Sequence, residues 1–366
     1  MNEAVLKTIT LILLIGVGLI LKGKFPSKDK TDGIKDMILS VALPSTIFIA
    51  LMKIDLDARL VFIPLIALLF NFFLYLVTPT ALTMLGISKD SANGRTLLLL
   101  MPSLAPGMST FPFIAEFLGE ESLAVAAMAD VGNKFFVLIF LYIVAMNMFM
   151  KTSGEKASNT GEKIKSLLLN LIKEPINIII FSAIALLSFG WKYATLPEVV
   201  QGIFDKTSAL MTPLVLIFIG LAVKFKKGNK RVVVSLLLFR AGISLLFSAA
   251  LIKLAGIHSA NQMLLAVALP LSSVSFWPFA HISLFNGKEE INKSEKRTFN
   301  FELAVMVLAL SLPFSTTLTL TILSAGSYFA DVSRIAWLGL GLAATGILPL
   351  MATRIYFQRL EERAAH

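Results

Sequence analysis

The chain has 366 residues, of which 56% are hydrophobic and 15% charged, with a mean hydropathy of +0.81 and a formal net charge of +10. A soluble domain is roughly a quarter charged, so there is too little polar material here to coat a water-facing protein of this size. An ordinary soluble enzyme, a disordered chain and a nucleic-acid binder are excluded. The chain has no cysteines, which removes disulfides and thiolate metal sites. His258, His281 and His366 are scattered, so neither a zinc site nor any other cofactor is expected.

Eleven apolar segments follow in order, at about 4–21, 34–52, 60–86, 96–118, 122–150, 174–190, 199–223, 232–252, 262–285, 300–324 and 335–352. A hydrophobic helix crosses the bilayer in about 20 residues, and most of these are long enough. The first lacks a basic n-region and a small-residue cleavage site, so it reads as a span and not as a signal peptide. Basic residues give sidedness. Of the 33 Lys and Arg, 24 fall in alternate connections, such as Lys22–Lys35, Lys151–Lys173 and Lys224–Arg231. Seven fall in the others, and Lys134 and Arg240 lie inside segments. By the positive-inside rule the N-terminus is outside and the C-terminal tail cytoplasmic, in a cell (inner) membrane.

The pattern G-I-x-D-x7-P occurs twice, from Gly33 to Pro44 and from Gly202 to Pro213, entering segments 2 and 7. Phe111-Pro112-Phe113 in segment 4 is echoed by Trp277-Pro278-Phe279 in segment 9. These pairs map segments 1–5 onto 6–10. Five is odd, so the halves have opposite orientation, an inverted-topology repeat of the kind secondary transporters carry. The expected fold is an all-α polytopic membrane protein. A first repeat occupies 1–150, a cytoplasmic linker 151–173, and a second repeat 174–325. An extra helix with a basic tail fills 326–366.

Segment 4 holds Pro102, Pro106, Gly107 and Pro112, with Ser103, Ser109 and Thr110 between them. Segment 9 holds Pro270 and Pro278 around Ser272, Ser273 and Ser275. Proline removes an N–H and clashes with the preceding turn. Broken backbone at membrane depth is tolerated only inside protein or along a cavity. Matched breaks in two halves point to a midplane site, where half-helix N-termini offer N–H groups to an anion. Simple packing kinks are the alternative. The candidate substrate residues are Ser103, Pro106, Gly107, Ser109, Thr110, Pro112, Pro270, Ser272, Ser273, Ser275 and Arg240.

Segment 5 places Asp130, Asn133 and Lys134 on one helical face. Asp130 is eight residues past Ser122, about 12 Å into the membrane. These three are the coupling candidates. Asp130 is either a proton- or ion-coupling carboxylate or half of a structural pair with Lys134 or Arg240. Arg240 either binds a substrate carboxylate or neutralises Asp130. His281 reads first as a hydrogen-bonded packing residue, Glu116 and Glu302 as interfacial. Segment 10 has a hydroxyl-rich half, with Ser315, Thr316, Thr317, Thr319 and Thr321 after Pro313.

The runs LPSTIFIALMKIDL (43–56), TSALMTPLVLIFIGLAVKF (207–225) and FPFIAEFLGEESLAVAAMADVGNKFF (111–136) resemble segments 2, 7 and the 4–5 junction of the auxin efflux carrier family. That family includes bacterial malate and malonate permeases and plant PIN-type carriers. The resemblance spans about residues 1–325. It implies two inverted five-helix halves, akin to bile-acid symporters and sodium/proton antiporters. Segments 1, 2, 6 and 7 would form a scaffold that often dimerises, and segments 4 and 9 would cross in a domain that moves as an elevator. The family commonly has an asparagine at the segment 4 break, where this chain has 103–112, SLAPGMSTFP, without one. Segment 11 is also additional.

The expected function is secondary transport of a small organic anion, coupled to protons or, alternatively, to sodium. A membrane channel or sensor is the other class. No H-E-x-x-H, G-x-S-x-G or phosphate-binding loop is present, so an enzyme is not expected. The expected partners are the anion, a proton or sodium ion, the lipid bilayer and a second copy of the chain, with no nucleic acid.

Overall fold

The computed structural model describes residues 3–25, 27–54, 62–153, 160–222, 230–292 and 296–364. Parts of the expected linker (154–159) and of the basic loops (223–229 and 293–295) lie outside the described residues. Among the described residues there is no strand, and Ala105 and Ser273 form an isolated antiparallel bridge. Helix is the economical state for an apolar chain in hydrocarbon, because each backbone N–H and C=O is satisfied within its own segment.

Every expected segment falls on a helix. The order begins with α1 (Glu3–Leu21), α2 (Lys28–Met37), a π-turn at Ile38–Ala42, α3 (Leu43–Lys53) and α4 (Phe62–Met84). Segment 4 is divided into α5 (Ala92–Leu100), the single turn α6 (Pro106–Ser109) and the start of α7 (Phe111–Phe135). Within α7 the chain turns at Gly119, φ +82°, a left-handed conformation open to glycine because it has no Cβ. That turn separates segment 4 from segment 5, which continues through a π-turn at Phe136–Phe140 into α8 (Leu141–Ser153). Then follow α9 (Thr160–Lys173), α10 (Pro175–Ser188), α11 (Glu198–Ser208), α12 (Met211–Ala222) and α13 (Lys230–Leu254). Segment 9 is α14 (Ala260–Ala268), a 3-10 turn at Leu269–Leu271 and α15 (Phe276–Ile291). The chain ends with α16 (Phe301–Ala325) and α17 (Val332–Ala364).

Among the described residues, seven helical stretches are long and apolar enough to cross a membrane, and an eighth if the bent pair α9–α10 counts as one span, fewer than the eleven segments expected. Large apolar side chains such as Leu13, Ile20, Leu76, Phe189 and Trp337 stand exposed on the outside, a surface suited to lipid and not to water. The chain is a multi-pass helical membrane protein.

One stretch departs from expectation. The polar stretch 151–173 is not linker throughout, because α9 occupies Thr160–Lys173 and meets α10 at a 61° bend. Ile164, Leu167 and Leu171 recur at helical spacing and pack into the core. This amphipathic pattern outweighs the hydrophilic composition.

Packing is close where glycines thin the helices. A Cβ on Gly18 of α1 would lie 2.1 Å from the Ile217 carbonyl oxygen of α12, and one on Gly220 would lie 2.2 Å from that of Ile15. α3 packs on α10 as α1 packs on α12. The longest interface joins α17 to α13, with Gly339, Ala343 and Gly346 of α17 against Ser235, Phe239 and Gly242 of α13. Small residues at such spacing let backbones approach and gain dispersion contacts where lipid supplies no hydrophobic drive. A Cβ on Gly242 would meet the Ala343 nitrogen at 2.3 Å, whereas one on Gly341 meets nothing within 4 Å. Gly242→Ala is therefore expected to destabilise the protein by about 1–3 kcal/mol, as overpacking does. It should lower the melting midpoint in detergent, while Gly341→Ala leaves that midpoint in place.

Candidate functional site: the crossing of two broken helices

The buried apolar residues fall mainly into two clusters, and several helices pass from one to the other through polar residues. α13 gives Val233, Leu236 and Leu237 to one cluster and Ala241, Leu245 and Ala249 to the other, with Arg240 between. α7 gives Leu123, Ala124, Ala126 and Ala127 to the second, the π-turn after it gives Phe136–Ile139 to the first, and Asp130, Asn133 and Lys134 lie between. α16 gives Ala304 and Val307 to one and Leu320, Ile322 and Leu323 to the other, with Ser311, Ser315, Thr316 and Thr319 between. Both helix breaks lie in this polar stratum.

The breaks meet. The Ala105 N–H donates to the Ser273 carbonyl at 2.8 Å. The Ser275 N–H donates to Ser103 Oγ and the Ser273 N–H to Ser109 Oγ, each at 3.0 Å. The hydroxyls of Thr110 and Ser272 lie 3.3 Å apart. Hydroxyls thus take over N–H groups that the interrupted helices cannot satisfy. Ser103 and Ser109 also donate backward, to the Leu100 and Ala105 carbonyls, and Ser272 to that of Leu269. The prolines cost little. Pro106 and Pro112 stand in the first turns of α6 and α7, and Pro270 in the first turn of the 3-10 helix, where an N–H has no intrahelical acceptor anyway. Gly107 is pressed against α3, with Leu43 Cδ2 3.0 Å from where a Cβ would stand.

Arg240 joins the two breaks. Its Nε donates to Met101 O, its Nη2 to Ser103 O and its Nη1 to Ser272 O, all at 2.8 Å. The side chain is buried. Arg240 therefore does not neutralise Asp130. It forms no ion pair among the described residues, and three of its five N–H groups serve main-chain carbonyls.

Asn133 holds the first break from the side. Its Nδ2 donates to Leu104 O at 3.0 Å and to Asp130 Oδ1 at 2.8 Å, while its Oδ1 accepts from the Leu104 N–H at 3.3 Å. An asparagine side chain beyond the Gly119 turn thus serves both main-chain groups of Leu104 at the break. Asn71 of α4 donates to the same Oδ1 at 2.8 Å. A Cβ on Gly132 would lie 1.9 Å from Pro64 O, so the α4–α7 approach that brings the two asparagines together requires glycine there.

Asp130 pairs with Lys134 at 3.5 Å, as the i,i+4 spacing implied. Lys134 also lies 3.0 Å from Glu174, at the α9–α10 bend. Sequence reading missed Asn71 and Glu174. Asn71 is the one amide in the apolar helix α4, a usable signal, but Glu174 opened an expected segment beside Lys173. His281 packs as expected, a ring nitrogen 2.9 Å from Val137 O. Glu116 pairs with Lys7 at 3.8 Å, and Glu302 is exposed. The hydroxyls of Ser315, Thr316 and Thr319 are buried and have no hydrogen-bond partner among the described residues.

No protein-family model matches this chain, and no curated protein matches it.

Arg240→Met would orphan three buried carbonyls at about 1–3 kcal/mol each. A large fall in the melting midpoint is expected, with Arg240→Lys intermediate, because an ammonium cannot span both breaks as a planar fork does. An unchanged midpoint for Arg240→Met would show that the guanidinium does not hold the crossing.

Proposed function

We propose that the protein is a secondary transporter of small organic anions, of the auxin efflux carrier kind, working by an elevator-type movement and coupled to protons. The observation that carries this reading is the meeting of two Pro/Gly-broken helices in a buried polar stratum, bridged by Arg240. Discontinuous helices that cross at mid-depth are where transporters place substrate sites. The packing is reciprocal when segments 1–5 are exchanged with 6–10: α1 on α12 has its counterpart in α10 on α3. This supports the inverted repeat. The residues of the crossing, Ser103 to Pro112 and Pro270 to Ser275, are then the substrate region, and the two N–H groups Arg240 retains are its positive contribution. The Asp130–Asn133–Lys134 face, bonded to the break through Leu104, is the coupling element. In this reading the N-terminus is outside, and the lipid-exposed faces of α1 and α10, including Leu13, Ile20, Ile178 and Phe181, suit a scaffold that dimerises.

Sodium coupling is the second reading. The unpartnered oxygens of Ser315, Thr316 and Thr319 favour it, because neutral hydroxyls are acceptable ligands for a monovalent cation.

In proteoliposomes, an imposed pH gradient is expected to drive uptake of labelled malate or malonate, and a sodium gradient alone is not. Asp130→Asn should lower the proton-driven rate at least about tenfold, a barrier change of roughly 1.4 kcal/mol. Uptake that is indifferent to both Asp130→Asn and Arg240→Ala would remove the site assignment. Unitary currents in a planar bilayer would replace the carrier with a channel.

A further inference from the structure

The polar chain that starts at the crossing does not stop at Lys134. Lys134 is buried, and its ammonium lies between two carboxylates, 3.5 Å from Asp130 Oδ2 and 3.0 Å from Glu174 Oε1. Neither approach is a well-directed hydrogen bond, and Glu174 Oε2 has no hydrogen-bond partner among the described residues. Two carboxylates therefore share one ammonium in a site largely withdrawn from water. Fully ionised, the cluster carries one excess negative charge, and excess charge at membrane depth is costly.

Among the described residues no other cation pairs with it. Of the charges on or around α7, Lys53 pairs with Glu120 and Lys7 with Glu116, at the helix ends. Arg240 is turned to the break carbonyls. Lys173 and Glu302 are exposed. Of the buried amides on the neighbouring helices, Asn133 is bonded to Asn71 and Asp130, and Asn177 of α10 donates to the Leu171 carbonyl. Among the described residues the charged groups that act on Glu174 are Lys134 and Asp130.

The two carboxylates differ in access. The Asp130 side chain is 5% exposed and already accepts from Asn133, whereas that of Glu174 is 23% exposed, its buried Oε2 accepting no hydrogen bond among the described residues. Glu174 also opens α10 at the 61° bend, with Pro175 behind it.

The geometry points to Glu174 as a proton-binding site that shares Lys134 with Asp130. When Glu174 is ionised, Lys134 is divided between two carboxylates. A proton taken from water onto Glu174 leaves a neutral carboxyl and gives Lys134 wholly to Asp130. Asp130 is bonded through Asn133 to both main-chain groups of Leu104, so proton occupancy at the bend is linked to the crossing through named hydrogen bonds. This inference rests on the proton-coupled reading above and adds a residue from outside segment 5.

The test reads protonation and not transport, so the two can fail separately. Full-length protein in lipid is titrated and followed by infrared difference spectroscopy in the carbonyl-stretch region of neutral carboxyls. The wild type is expected to show one buried carboxyl band that appears as pH falls and is absent from Glu174→Gln. In Asp130→Asn the band should persist with its midpoint about one pH unit lower or more, because removing a neighbouring negative charge favours ionisation. In Lys134→Met the midpoint should move the other way. A band that survives Glu174→Gln and disappears in Asp130→Asn would put the proton on Asp130 and overturn the proposal. So would the absence of any titrating band, or a band governed by sodium at fixed pH. A preserved band without anion uptake would leave this site standing and remove the transport reading.

Discussion

Three main-chain carbonyls that no helix can satisfy converge on one guanidinium, and much of the architecture follows from that convergence. Helix α5 stops short of α6, and α14 short of α15, so backbone groups are released where there is no water to receive them. Bringing the two breaks together lets one repair the other through Ala105, Ser273 and their flanking hydroxyls. Carbonyls still remain, and a planar donor set of fixed geometry answers three of them from a neighbouring helix. A lysine in its place would bring the charge without the fork. The position of α13 is thereby set, and with it the side of the molecule that α17 covers.

The same logic explains why the polar residues lie in a stratum. Each crossing helix keeps apolar faces above and below, where lipid or other helices surround it, and places its serines, threonines, asparagines and charges where the breaks need partners. Asn133 shows how economical this is. One amide serves an N–H, a carbonyl, a carboxylate and a second amide. Such networks are stable when every member is satisfied and costly when one is lost. That separates Ser103, Ser109 and Arg240, largely occupied with the breaks, from Ser315, Thr316 and Thr319, whose hydrogen-bonding capacity is unspent.

Much of this was legible in the sequence. Apolar run length located the long apolar helices, because the hydrocarbon thickness sets it, and proline located both breaks. The i,i+4 spacing of Asp130 and Lys134 predicted their contact. What spacing within one helix cannot reveal is which distant element meets it. Glu174 opens an apolar segment, where a charge is ordinary, yet at the bend it meets Lys134. Arg240 was read as a partner for a carboxylate because charge seeks charge, but the backbone of two broken helices was the nearer demand. The helix α9 was hidden by composition, since only its spacing of Ile164, Leu167 and Leu171 betrays a buried face.

The glycines that let α17 settle on α13 have a further consequence for the setting of Arg240. A helix thinned to glycine exposes its peptide dipoles sideways, and at Gly242, two residues from the guanidinium, lipid tails would otherwise lie against bare backbone. Gly339 and Ala343 occupy that flank instead. α17 thus covers the α13 backbone beside Arg240 with protein atoms.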